Sequence, residues 1–135
     1  MHKITDIKAL EILDSRGNPT VEVHMNTVNY NAYASVPSGA SKGKHEAHEI
    51  RDLGKRYSGQ GVKKSIENIN NEIKNRLIDK DLDNQNFIDN SMIRLDGTYH
   101  KTKLGANSML AVSLAYARLS AISRGMPLYK YVAEI

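Results

Sequence analysis

Residues 20–36 read TVEVHMNTVNYNAYASV, and two alternations in this stretch decide the fold. Val21, Val23 and Met25 alternate with Glu22 and His24; then Tyr30, Ala32, Ala34 and Val36 alternate with Asn31, Tyr33 and Ser35. A period of two is that of strands with one face buried and one face wet. Upstream, apolar residues recur irregularly from Ile4 to Leu13, followed by Asp14-Ser15-Arg16-Gly17-Asn18-Pro19. That is a turn sequence, because glycine permits unusual dihedrals and proline fixes its own φ. Three strands joined by reversals predict an antiparallel meander.

Downstream the period becomes helical. Val62, Ile66, Ile69, Ile73 and Leu77, with Lys63, Lys64, Glu67, Asn70 and Lys74 between them, predict one amphipathic helix. Asp83 is the expected N-cap of another, which turns Ile88, Met92 and Leu95 inward and stops at Asp96-Gly97-Thr98. The segment from Ala106 to Arg124 is apolar on most sides and rich in alanine and serine, as a buried central helix should be. Arg124 suits the negative end of its dipole, Gly125 a left-handed cap, and Pro127 the start of a last short helix with Leu128, Tyr131 and Val132. A further short helix is expected from His45 to Arg51. The expected class is α+β, a three-stranded antiparallel β-meander followed by a bundle of about four helices, in one domain over 1–135.

Composition narrows the function classes. The 135 residues suit a single domain, and 40% hydrophobic with 25% charged residues is ordinary for a globular chain. With no cysteine there is neither a disulfide framework nor a thiolate metal site, in keeping with a reducing compartment and a cytoplasmic location. Lys3 falls where a signal peptide needs an apolar run, and no stretch approaches the roughly 20 apolar residues that span a bilayer. No membrane partner is expected. The net charge of +4 permits attraction to phosphates, but the basic residues are scattered among 15 acidic ones. No RNA-binding signature or basic stripe accompanies the seven tyrosines, so no specific nucleic acid is expected.

The informative loop is Ser38-Gly39-Ala40-Ser41-Lys42-Gly43. Two glycines and two serines suit a phosphate cradle, and equally a plain strand-to-helix turn. It is no Walker loop, since its glycine spacing is one residue short and His45 follows Lys44 where serine or threonine should hold magnesium. Nor is His45-Glu46-Ala47-His48-Glu49 a zinc-protease motif, its histidines being three residues apart instead of four.

The ordered set of motifs is more specific than any one of them. Glu11-Ile12-Leu13-Asp14-Ser15-Arg16-Gly17-Asn18-Pro19-Thr20-Val21-Glu22-Val23, Val36-Pro37-Ser38-Gly39-Ala40-Ser41, Leu95-Asp96-Gly97-Thr98, Lys103-Leu104-Gly105-Ala106-Asn107 and Gly125-Met126-Pro127-Leu128-Tyr129 together resemble enolase, from about Ile4 to the chain end. The resemblance implies the small α+β domain that precedes an enolase's α/β barrel. It implies a magnesium-dependent lyase of glycolysis, phosphopyruvate hydratase, interconverting 2-phosphoglycerate and phosphoenolpyruvate. A lysine base, a glutamate acid and two Mg2+ ions stabilise the enediolate in that family. Those groups belong to the barrel, which this chain lacks, so no catalytic residue is expected here and the domain alone is expected to be inactive.

By the same resemblance, Ser38, Gly39, Ala40, Ser41, Lys42, Gly43, Lys44 and His45 form a substrate loop that closes over the active site. Ser41 gives its hydroxyl and backbone oxygen to the second magnesium, and Glu22 is an interface charge of a dimer or dimer-based homo-oligomer. This chain departs from the pattern at Lys42 and Lys44, where enolases usually have threonine and often glutamate. Leu10 stands in place of an interface arginine, and Ala111 in place of a common glycine. The rival reading is a stand-alone, non-catalytic binding or scaffold protein that keeps the domain shape, since fold does not fix function.

Overall fold

A computed structural model describes residues 2–39 and 41–135. Strands β1 (Asp6–Leu13), β2 (Pro19–Asn26) and β3 (Asn31–Ser35) form an antiparallel sheet in the order β1-β2-β3. The turn between β1 and β2 is built by Asp14, whose Oδ1 accepts from the backbone N–H of Arg16 at 2.8 Å and of Asn18 at 2.9 Å, with Gly17 at φ 77°. Register sets Leu10 opposite Glu22 and Glu22 opposite Ser35 on the outer face.

Three consecutive helical pieces follow as one rod: α1 (Lys63–Asn68), a π-helical stretch (Ile69–Ile73) and α2 (Lys74–Leu77). Then come α3 (Gln85–Asp96), α4 (Ala106–Ser123) and α5 (Leu128–Glu134). The architecture is the expected meander followed by four helices. Ile7, Ala9, Val21, Val23, Met25, Ala32 and Ala34 on the inner sheet face join Ile69, Ile73 and Leu77 of the rod and Ala111, Val112, Ala115 and Leu119 of α4 in one core. Alanines on both β3 and α4 let helix and sheet approach closely, which explains why the central helix is so rich in small residues. Among the described residues, no helix is long and apolar enough to cross a membrane.

Both sheet edges are blunted by side chains, a common defence of exposed strand edges. Asn70, within the π-helical stretch, accepts from Ala9 N–H at 2.8 Å and donates to Ala9 C=O at 3.4 Å, closing the β1 edge. On the other side, Arg118 donates to the Tyr33 carbonyl at 3.1 Å.

Two local expectations are corrected. The N-cap of α3 is Asn84, not Asp83: Asn84 Oδ1 accepts from Phe87 N–H at 2.9 Å, while Asn84 N–H is held by Tyr116 Oη at 3.2 Å. That second bond from α4 fixes Asn84 as the capping residue. The helix expected from His45 to Arg51 does not form, because its backbone bonds elsewhere. His48 N–H donates to His100 C=O at 2.7 Å, and His48 C=O accepts from Ala106 N–H at 2.8 Å. Groups committed to other segments cannot also serve an i→i−4 ladder.

Tyr116 is fully buried, donating from Oη to Asp81 C=O at 2.8 Å. Burial pushes its phenol up to about 12, against the opposing hydrogen bond from Asn84 N–H. A phenol whose folded pKa exceeds its unfolded one favours the folded state fully below pH ~10 and loses that preference between pH ~10 and ~12. Urea denaturation from pH 9 to 11.5 should show a fall of about 2 kcal/mol from this group. Tyr116→Phe should flatten that part of the profile.

Candidate functional site: the loop after the third strand

Chain leaving β3 is held before it enters the loop. Ser38 C=O accepts from Arg16 Nη2 at 3.2 Å, and Ser38 Oγ donates to Glu49 Oε1 at 3.0 Å and accepts from Arg51 Nη2 at 2.8 Å. Beyond it, residues 41–48 are all exposed. Ala40 lies outside the described residues. From Gly39 to Ala47 the hydrogen bonds among described residues are local ones, Gly43 N–H to Glu46 Oε2 at 2.9 Å and Glu46 N–H to Gly43 C=O at 3.3 Å. Lys42, Lys44 and His48 share a cleft of about 310 Å3 with Glu49, His100 and Thr102.

The far side of the loop is strapped to the α3–α4 connection. Besides the two backbone bonds of His48, the buried Asn107 receives Ile50 N–H at its Oδ1 (3.2 Å) and donates from Nδ2 to Ile50 C=O (3.0 Å). Its amide thus pairs with Ile50 as a neighbouring strand would. Gly105 makes this possible: at φ 91°, a Cβ there would stand 2.7 Å from Asn107 Oδ1 and 2.9 Å from Ile50 Cγ1. Asp96 organises the same connection, accepting from Leu104 N–H at 2.7 Å and Thr98 N–H at 2.9 Å, and from the Thr98 hydroxyl. Burial pushes the Asp96 carboxyl up, but the bonds from Leu104 and Thr98 outweigh it and hold it below the usual range. Leu95-Asp96-Gly97-Thr98 and Lys103-Leu104-Gly105-Ala106-Asn107 therefore serve to fix the loop's far support.

Ser41 is the exposed oxygen donor within the loop. Gly39 leaves room beside its carbonyl, where an added Cβ would come within 3.1 Å of Ser41 O. Hydroxyl and carbonyl oxygens suit a hard cation such as magnesium, which prefers oxygen ligands and retains several waters. Among the described residues no three His, Asp or Glu side chains gather as a metal site. Ser41 therefore fits an added ligand of a site, not a whole one.

Glu22 lies on the outer sheet face and is engaged within the domain, by Ser35 Oγ at 2.7 Å and His24 Nε2 at 2.8 Å. Those two bonds, that of Ser35 foremost, hold its carboxyl below the usual range. Sequence reading passed over Asn107, Asp96, Arg51 and Glu49. The first two lay in motifs already singled out; Glu49 was weighed only within the rejected zinc motif, and Arg51 carried no signal.

Fold and loop define an α+β domain that presents a Gly/Ser oxygen-donor loop on two fixed supports. The family model described as "Enolase, N-terminal domain" matches residues 4–132, and the chain belongs to that family. A curated relative named "Enolase", from Thermococcus kodakarensis, is 52% identical over 130 residues, which are 96% of this chain and 30% of that protein. The chain thus spans about a third of that relative's length.

Proposed function

We propose that this domain is the lid-bearing part of a magnesium-dependent enolase that reversibly dehydrates 2-phosphoglycerate to phosphoenolpyruvate in cytoplasmic glycolysis, its barrel domain supplying the acid, the base and the carboxylate metal ligands. The observation that carries the reading is the exposed span 41–48, which holds the Ser41 oxygens between two supports. Magnesium, when bound, supplies positive charge to the oxygens of the substrate. Ser41 adds a hydroxyl and a carbonyl oxygen as ligands, and the span 39–45 covers the substrate. Excluding water strengthens each electrostatic contact inside, as lid closure does in many enzymes. Glu22, on the outer face opposite Leu10, is the proposed contact charge of a homodimer or dimer-based assembly.

Proton abstraction and leaving-group protonation require positioned acid–base groups. The chain alone, given magnesium and 2-phosphoglycerate, is expected to show no turnover, and turnover is expected when an enolase barrel is joined to it. Enzyme-like rates from the 135-residue chain would overturn the division of labour.

Lys42 and Lys44 make this loop more cationic than the family pattern, and both are exposed. Exposed charges attract a phosphorylated substrate in a salt-dependent manner. In the barrel-joined enzyme, Lys42→Thr should reduce the rise of KM between 20 and 300 mM salt; an unchanged salt dependence refutes this role.

A further inference from the structure

We propose that Arg51 is a positioning residue of the lid: its single guanidinium ties the two ends of the span 39–48 together and thereby sets where Ser41 can travel. The inference rests on the reading of that span as a lid. The Arg51 side chain is only 11% exposed, although arginine is ordinarily a surface residue. Nη2 donates to Ser38 Oγ at 2.8 Å, before the span, and to Glu49 Oε2 at 3.2 Å, after it; Nε also faces Glu49 Oε2, at 3.4 Å. Glu49 Oε1 accepts from Ser38 Oγ at 3.0 Å, so the three side chains form a closed ring that clasps the base of the loop.

The guanidinium is itself fixed from two further directions. Nη1 donates to Pro19 C=O at 2.6 Å, where β2 begins, and to Gln60 C=O at 2.8 Å. Gln60 follows a turn in which Leu53, Tyr57 and Ser58 hold φ of 63°, 48° and 52°. Non-glycine residues persist in that region only when the surroundings enforce it. The bonds of Leu53 N–H to Gly59 C=O at 3.1 Å and of Asp52 N–H to Gly61 C=O at 2.9 Å hold this turn against the segment that carries Arg51. The clasp is thus anchored to the sheet and to a rigid turn, while the described residues from Gly39 to Ala47 bond only locally. A lid on such a base moves between its ends without moving the ends themselves, so the entropy of placing Ser41 is reduced before the substrate arrives.

Lysine keeps the charge but presents one nitrogen in place of a planar fork, and cannot serve this many acceptors. The test is amide hydrogen exchange on the chain carrying Arg51→Lys and, separately, Ser38→Ala, which removes only the hydroxyl corner of the ring. Both variants should speed exchange of the hydrogen-bonded amides of His48, Ile50 and Asp52, which lie at and beside the clasp, by about tenfold or more while amides of Ile73 and Leu119 stay within about twofold of the unaltered chain. Unchanged exchange at these three amides, or an equal rise in the core, overturns the inference. In the barrel-joined enzyme, Arg51→Lys should lower kcat more than it raises KM. A raised loop exchange beside unaltered kinetics would leave the clasp standing and refute its lid role.

Discussion

Asn107→Leu should destabilise the domain by about 3–5 kcal/mol, a large part of the 5–15 kcal/mol that a domain of this kind has. Leucine keeps the branched shape of asparagine, with somewhat more bulk, but carries no polar atom. The substitution would orphan Ile50 N–H, strip Ile50 C=O of its shorter donor, and remove the nearer acceptor of Ser65 Oγ, 3.2 Å from Asn107 Oδ1. An unsatisfied buried group costs about 1–3 kcal/mol, and Ser65 keeps a partial alternative in Ile50 C=O at 3.4 Å. Urea midpoints read the loss, with Asn68→Ala as a control, since Asn68 bonds the same connection at Leu104 C=O (3.1 Å) through a half-buried side chain. A loss for Asn107→Leu no greater than for the control would mean that Ile50 finds other partners.

This residue also shows why sequence showed the frame more clearly than the supports. Period-two alternation over 20–36 and helical spacing over 62–77 follow from which faces are buried, a property each residue declares by its own polarity. The inward placement of Val21, Val23, Met25, Ile69 and Ile73 followed from it directly. Asn107, by contrast, is polar and 3% exposed, because long-range partners, Ile50 foremost and Ser65 beside it, satisfy it. Such pairing joins positions 57 residues apart, and no local pattern encodes it. The failed helix at His45–Arg51 has the same origin: local composition allowed a helix, while His100, Ala106 and Asn107 claimed its backbone.

At the site, the chemistry of Ser38–Gly43 was visible in its small residues, but its meaning came from the resemblance, since Gly/Ser clusters are ordinary in loops. The clasp beneath it was not visible. Arg51 and Glu49 fell in the segment expected as a short helix, and only the folded chain shows these two side chains turned against Ser38.

The second large effect is on catalysis. Ser41→Ala removes the hydroxyl proposed as a metal ligand and leaves the loop backbone, its two supports and the core untouched, because Ser41 is exposed. Loss of a ligand or of its supporting contact commonly costs about 10–100-fold in metal affinity or activity. Stability should stay within about 0.5 kcal/mol of the unaltered protein, as for surface substitutions away from special features. The most direct measurement is a magnesium titration of 2-phosphoglycerate turnover by this domain joined to an enolase barrel, with and without Ser41→Ala. The expected result is a roughly 10–100-fold higher magnesium requirement for the variant, with an unshifted urea midpoint. Superimposable titrations would show that this loop gives no ligand to the metal, and would contradict the assignment of the domain as a metal-binding lid.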